Sequence, residues 1–187
     1  MPPDNLSRST QLFQFRVPGL PDITLALGLP EVLEIARLPE PTPVPFASSF
    51  ILGLSKWRGN IVTVLDLSSL SGRVTDAPGG ALRPDYDPGL RHLVAQVIVD
   101  TRRETVAWPV LPGAGSLTVP PRVPQTHIPP GVPAEIVRLA ISVSNQTLVL
   151  LNLEHLTGGI GNALGCGEVM AIGHVQQGTD KQKKPQP

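Results

Sequence analysis

Arg58 has the most unusual setting of any charged residue in this sequence. Apolar residues flank it, Gly59 follows directly, and the β-branched run Ile61-Val62-Thr63-Val64 lies just beyond. A guanidinium offers five planar donors and cannot lose its charge. At the entrance of a buried strand, such a charge is either paired internally, with Asp66 or Glu34, or presented to a carboxylate or a row of carbonyls on a partner. Support for reaction chemistry is weaker. His92, His127, His155 and His174 are widely scattered and show no ligand spacing, which argues against a metal site. No Ser, His and acid arrangement stands out. The run Gly158-Gly159-Ile160-Gly161-Asn162-Ala163-Leu164-Gly165 misses the third glycine of a dinucleotide fingerprint by one place and has no strand-helix-strand context. A flexible glycine linker is the better account of it. Asn145-Gln146-Thr147 fits a glycosylation sequon but falls in an expected tight turn. Cys166 is the only cysteine, so neither an intramolecular disulfide nor a multi-cysteine metal site can form. The reading is of a protein with no catalytic residue, no metal and no cofactor.

Composition narrows the partners. Fifteen Lys and Arg balance fifteen Asp and Glu, which leaves no global electrostatic footprint for nucleic acid or an anionic membrane. Aromatics make up 4% of the chain, too few for stacking platforms on single strands. Residues 1–16 lack the basic and apolar regions of a signal peptide, and eighteen apolar residues never run together, so no membrane insertion is expected. The simplest reading is a soluble cytoplasmic protein. At 187 residues, one domain is the prior, and it could be built of two lobes. With 22 prolines and 18 glycines, short elements and many turns are favoured over long helices.

The elements that must position Arg58 read as strands. Residues 12–17 place Phe13, Phe15 and Val17 on one face, and residues 23–29 place Ile23, Leu25 and Leu27 on one face. The turn between them makes a hairpin. Residues 30–37 fit a short helix or a short strand. Residues 39–45, with four prolines, form an extended connector. A short helix is expected over 47–52, with Ser48 or Ser49 near its start and Gly53 ending it. Residues 60–67 are the strongest strand, apolar on both faces and therefore central. Residues 71–89 have no period and read as a long loop. Residues 93–99 form a strand, Arg102-Arg103-Glu104 a turn, and 105–108 the returning strand. Sparse regular structure is expected over 109–133, then a strand pair at 136–143 and 147–153, and a brief helical turn from Glu154. The total of seven to ten short strands falls in two groups separated by the 71–89 loop, which fits two small barrels or one barrel of two lobes.

At this level of detail the chain resembles the CheW-like domain family, the adaptors of bacterial chemosensory arrays. The most specific match is Arg58-Gly59 followed by Ile61-Val62-Thr63-Val64-Leu65-Asp66-Leu67. Supporting matches are Leu29-Pro30-Glu31-Val32-Leu33-Glu34-Ile35, the connector Pro41-Thr42-Pro43-Val44-Pro45, the strand Val97-Ile98-Val99-Asp100, and the closing Leu148-Val149-Leu150-Leu151-Asn152-Leu153-Glu154-His155-Leu156. Thr63 stands where the family commonly has proline, which restores a backbone donor. The resemblance implies an all-β fold of two SH3-like five-stranded barrel lobes around a shared core. The resemblance covers the domain, placed at 12–157; composition adds an N-terminal arm at 1–11, a mobile loop at about 71–91 and a disordered tail at 158–187, glycine-rich and then polar. It further implies a non-catalytic adaptor that couples a CheA-type histidine kinase to the tip of a methyl-accepting chemoreceptor. The alternative keeps the fold as a scaffold or decoy that binds only the kinase, for example in pilus-based motility. By the resemblance, Arg58 belongs to the receptor-facing region, Val32 and Glu34 lie near the same groove, and Leu54, Asn60 and Val62 flank it. Gly59 would contribute indirectly, through the backbone. Trp57 is either an exposed anchor or a cover over the core.

Overall fold

The computed structural model describes residues 9–47, 50–68, 87, 89–99 and 102–155. Among the described residues ten strands run in order: β1 Thr10–Val17, β2 Leu20–Gly28, β3 Val32–Ala36, β4 Ile51–Trp57, β5 Asn60–Leu65, β6 Arg91–Val99, β7 Arg102–Val110, β8 Gly115–Val119, β9 Val137–Val143 and β10 Gln146–Leu151. They form two five-stranded sheets, ordered β8-β1-β2-β10-β9 and β3-β6-β7-β5-β4. Each curls like a barrel, so the fold class is mainly β with two barrel lobes. Among the described residues no helix is long and apolar enough to cross a membrane.

The division into lobes does not follow the chain. The expectation was one strand group on each side of the 71–89 segment, but each sheet takes strands from both sides. The joins responsible are parallel. β10 pairs with β2 through Leu148↔Thr24, Val149↔Leu25 and Leu150↔Ala26, and β5 pairs with β7 through Thr63↔Val106 and Val64↔Ala107. Antiparallel neighbours can come from a short turn, whereas parallel neighbours must arrive over a long crossover. Thr63 lies opposite Leu54 on one side and Val106 on the other, so it stands inside the sheet, where a proline would remove a backbone donor.

Three apolar clusters explain the strand patterns. The largest lies between the sheets and joins Phe15, Leu25 and Leu27 to Leu65, Leu93, Trp108 and Leu151. Within it the Phe15 and Trp108 rings stand 5.7 Å apart at 41°, a tilted contact of the kind aromatic pairs favour. A second cluster, with Val62, Val64, Val94 and Ala107, fills one barrel. A third, with Leu12, Ala26, Ile141 and Leu148, fills the other. β2 therefore buries both faces, Ala26 into its own barrel and Leu25 and Leu27 into the shared core. β5 lies inside its sheet, as expected of the 60–67 strand, and buries Val62 and Val64 in its barrel, but its other face reaches the shared core only at Leu65, with Ile61 exposed.

Local departures have local causes. Residues 30–37 split into a 3-10 turn, Leu29–Glu31, and strand β3. The short helix expected over 47–52 is not what residues 50–52 adopt: β4 starts at Ile51 and Gly53 lies inside it. There Gly53 has φ 151°, and a Cβ would run into the Thr42 carbonyl. Thr42 and Leu54 exchange backbone bonds of 2.8 and 2.9 Å at that point, so the glycine lets the connector lie against β4. Arg102 and Arg103 belong to β7 and pair with Val99 and Ile98, so the hairpin turns earlier than expected. β7 also continues through Pro109 to Val110. Its ladder with β5 has ended by Ala107, so the missing proline donor costs no bond on that side. β8 adds a strand inside the proline-rich 109–133 stretch, and residues 153–155 form the brief helical turn. The 71–86 part of the expected loop and the tail from 158 lie outside the described residues. Arg91 already belongs to β6, inside the 71–91 span expected to be mobile.

Candidate protein-binding site

The β4–β5 connection is a loop of two residues. Trp57 pairs with Asn60, and between them Arg58 and Gly59 have φ of 47° and 81°. Two consecutive positive φ angles are what a type I′ hairpin turn needs, since that turn matches the twist of its strands. A Cβ on Gly59 would meet nothing within 4 Å, so the glycine serves backbone conformation and not a close approach. Arg58 has no such freedom, and its left-handed backbone costs roughly 1–2 kcal/mol.

Three side chains converge at this tip. Glu34 reaches across from β3, forming an ion pair with Arg58 and accepting a hydrogen bond from Trp57 Nε1–H on its other carboxylate oxygen. The Arg58 guanidinium carbon sits 5.3 Å from the centroid of the Trp57 ring, within cation–π range. β3 and β4 are the two outer strands of their sheet, so Glu34 bridges the edges that the curled sheet brings together. The Ser55 hydroxyl donates to the Pro39 carbonyl at 2.7 Å across the same seam. A register shift on β3 sets Glu34 opposite Val94 although Val32 opposes Ala95; a bulge of this kind re-aims side chains at a strand edge.

The electrostatics favour an ionised Glu34. Its carboxyl lies below the usual value of 4.5, chiefly because Trp57 donates to it. Partial burial opposes that shift, and the Arg58 hydrogen bond and charge reinforce it. The Arg58 side chain nevertheless stays 68% exposed, with Glu34 at 26%. Exposed ion pairs contribute little to stability, so the pair offsets only part of the strain of the turn. What the arrangement fixes is direction: a cation held on an aromatic face and a carboxylate, with most of its surface facing solvent.

The structure brings together Arg58, Gly59, Asn60 and Glu34, and adds Trp57. The internal partner of Arg58 is Glu34; Asp66 is buried and accepts instead from the Ser68 backbone N–H and hydroxyl. Asn60 Nδ2 lies 3.5 Å from the Arg58 carbonyl and is exposed. Ile61, the next residue of β5 and opposite Lys56, is 70% exposed. Val32 is half-buried against the shared core, and Leu54 is half-buried with both backbone groups bonded to Thr42. Val62 is 1% exposed within the barrel core, so it supports the tip from beneath and presents no surface. Trp57 packs on that same cluster: it covers the core, and its indole N–H orients Glu34. Spacing along the chain gave no sign of that shared carboxylate, because the residues involved stand 23 and 24 positions apart.

A family model described as the CheW-like domain matches residues 11–160. No curated protein sequence matches the chain. Among solved structures, the scaffolding protein TtCheW from Thermoanaerobacter tengcongensis is similar at 14% identity and a TM-score of 0.56, over 79% of this chain and 92% of that one. That likeness concerns the fold. With the two curled five-stranded sheets and the Arg58-Gly59 hairpin in the matched span, the chain belongs to the CheW-like domain family.

Proposed function

We propose that this protein is a non-catalytic coupling adaptor that joins a CheA-type histidine kinase to the tips of methyl-accepting chemoreceptors, with the β4–β5 hairpin as the receptor contact. Membership of the CheW-like family supports the general role. The observation that carries the site is Arg58: exposed, strained in its backbone, and oriented by Glu34 and Trp57. Strain that the surrounding structure holds in place tends to gather at binding and switching sites. An oriented guanidinium, with Ile61 exposed on the strand that follows the turn, suits a helical hairpin that offers a carboxylate and an apolar side chain. On this reading Arg58, Asn60 and Glu34 form the polar part of the contact. Val32 and Leu54 line its approach, and Gly59 and Val62 set its shape. The protein works by fixing the geometry between two partners in the cytoplasm.

The test is a pull-down with kinase and receptor-tip fragments together. The unmodified protein should capture both. Arg58→Ala should keep the kinase, keep its denaturation midpoint, and lose receptor binding by roughly tenfold or more. Unchanged receptor capture by the variant would remove Arg58 from the site. Kinase without receptor, captured by the unmodified protein, would point instead to the kinase-only scaffold.

A further inference from the structure

Two arginines stand side by side at the end of a ladder with nothing to balance them. β3 and β6 pair antiparallel as far as Ala36↔His92, and that register sets Arg37 opposite Arg91 one step further on. Like charges directly across a strand pair are destabilising. Both side chains are exposed, yet the one ion pair among the described residues is Arg58–Glu34. A third guanidinium is close by. The Arg16 carbonyl accepts from the Leu111 N–H at 2.8 Å. Its Nη2 lies 3.5 Å from the Pro112 carbonyl and 3.8 Å from the place a Cβ on Gly113 would take.

These cations surround a recess. A cavity of about 370 Å³ is lined by Ile35 and Arg37, by Leu90 and Arg91, and by residues 110–114. Arg16 meets its wall at Pro112 and Gly113. The apolar part belongs to the shared core: Val110 is buried in that cluster, and Ile35 and Ala114 pack against it. No acidic side chain is among the lining residues. Asp87, the described carboxylate nearest to Arg91 along the chain, accepts instead from the Gly89 N–H at 2.7 Å. A cleft lined by one sign of charge, with low-dielectric walls, concentrates counter-ions. An apolar hollow with a few convergent polar groups is also the usual make-up of a small-molecule site.

We infer that this recess binds a small organic anion, a carboxylate or phosphate monoester carried on an apolar ring or short chain. The anionic end would bridge Arg37 and Arg91, whose planar forks suit either group, and would relieve their repulsion. The apolar end would lie on Ile35, Val110 and Ala114. A cavity of about 150 Å³ is enough for benzene, so the recess has room for a ring and its linker. Ile35 follows Glu34 on β3, but the site uses neither Glu34 nor Arg58 and does not rest on the receptor reading.

Calorimetry and backbone amide shifts on the full chain test this, with hydrocinnamate, its neutral amide, phenyl phosphate and inorganic phosphate as probes. Hydrocinnamate and phenyl phosphate should bind with Kd of about 1 mM or tighter, with shifts centred on Leu90, Arg91, Leu111 and Gly113. The amide lacks the charge and inorganic phosphate lacks the apolar body, so each should bind roughly tenfold more weakly or worse. Arg37→Gln with Arg91→Gln should lower hydrocinnamate affinity about tenfold. The same double variant should raise the ligand-free thermal midpoint by about 1–4 °C, because the like charges are gone. Ala114→Trp fills the recess and should abolish binding. Arg58→Ala should bind hydrocinnamate as the unmodified chain does, which keeps a failure here separate from a failure of the receptor site. Equal binding of amide and carboxylate, shifts centred elsewhere, unchanged affinity or a lowered midpoint in the double variant, or no binding at about 10 mM would each overturn the inference. Co-sedimentation with phosphatidylglycerol vesicles that is lost in the double variant would assign the arginines to a lipid surface and overturn it as well.

Discussion

Arg58 and Phe46 are both large non-glycine residues held at positive φ, and their turns treat them in opposite ways. At the β4–β5 tip, Arg58 is tied to Glu34 and laid over Trp57. In the connector, Phe46 projects with no such tie, although the residues beside it are anchored. The first turn returns part of its strain as an ion pair, a cation–π contact and a closed barrel seam. The second returns nothing within the chain. Comparable backbone cost therefore has two outcomes: orientation of a charge in one place, and display of an apolar surface in the other.

The largest expected effect concerns the frame that both turns share. His92 on β6 is fully buried and pairs with Ala36 of β3 and Pro109 of β7. Burial pushes its pKa from 6.5 down to about 4. The neutral form is the native one, so the stability it protects is fully present above pH 6.5. That stability drains away as pH falls toward 4, because the unfolded chain binds the proton more readily. The shift corresponds to about 3 kcal/mol, read as a lower urea midpoint at pH 4 than at pH 7 and largely abolished in His92→Gln. The Glu34 clamp responds in a different window. Its lowered pKa keeps it intact through that range, and its contribution is lost only as pH falls below 4.5 and on through the depressed value. A titration that follows both global unfolding and Trp57 fluorescence should show the frame weakening first and the tip last.

Next in size is a change that strikes one turn and spares the other. Gly53→Ala puts a Cβ into the Thr42 carbonyl and should cost about 2 kcal/mol. Amide exchange should speed up at Thr42 and Leu54, whose mutual bonds hold the connector. Protection of Trp57 and Asn60 should change little. Equal loosening at both places would mean that the turns are not separately anchored. The smallest effect is the sharpest test of the comparison. Phe46→Asn should raise stability by about 1 kcal/mol, since strain is relieved and no contact is lost. Arg58→Asn should gain less than that, because the relief is offset by the lost ion pair and cation–π contact. Equal gains in the two denaturation curves would show that the Glu34 and Trp57 contacts contribute nothing to holding the tip.

The hairpins could be read from the chain because period-two alternation is a local property. Phe13, Phe15 and Val17, then Ile23, Leu25 and Leu27, were placed on their faces without any knowledge of the partner sheet. Gly53 shows the limit. A glycine after Phe50-Ile51-Leu52 looks like the end of a helix, yet its purpose is to admit Thr42, and no window around Gly53 contains that residue. Phe46 shows another limit: proline before it signals a turn, but nothing nearby states that the ring will find no cover.

What the sequence determined by itself was the alternating strands that became β1, β2, β5, β6, β7, β9 and β10, and a turn at Arg58-Gly59 ahead of β5. These depend on side-chain alternation, backbone freedom and spacing, all of which act over a few residues. Only the tertiary structure decided how the strands divide between the sheets, which acid meets Arg58, and which apolar side chains are left outside. Those outcomes rest on parallel pairings and on the closing of a curled sheet, where residues tens of positions apart meet because three apolar clusters fill together.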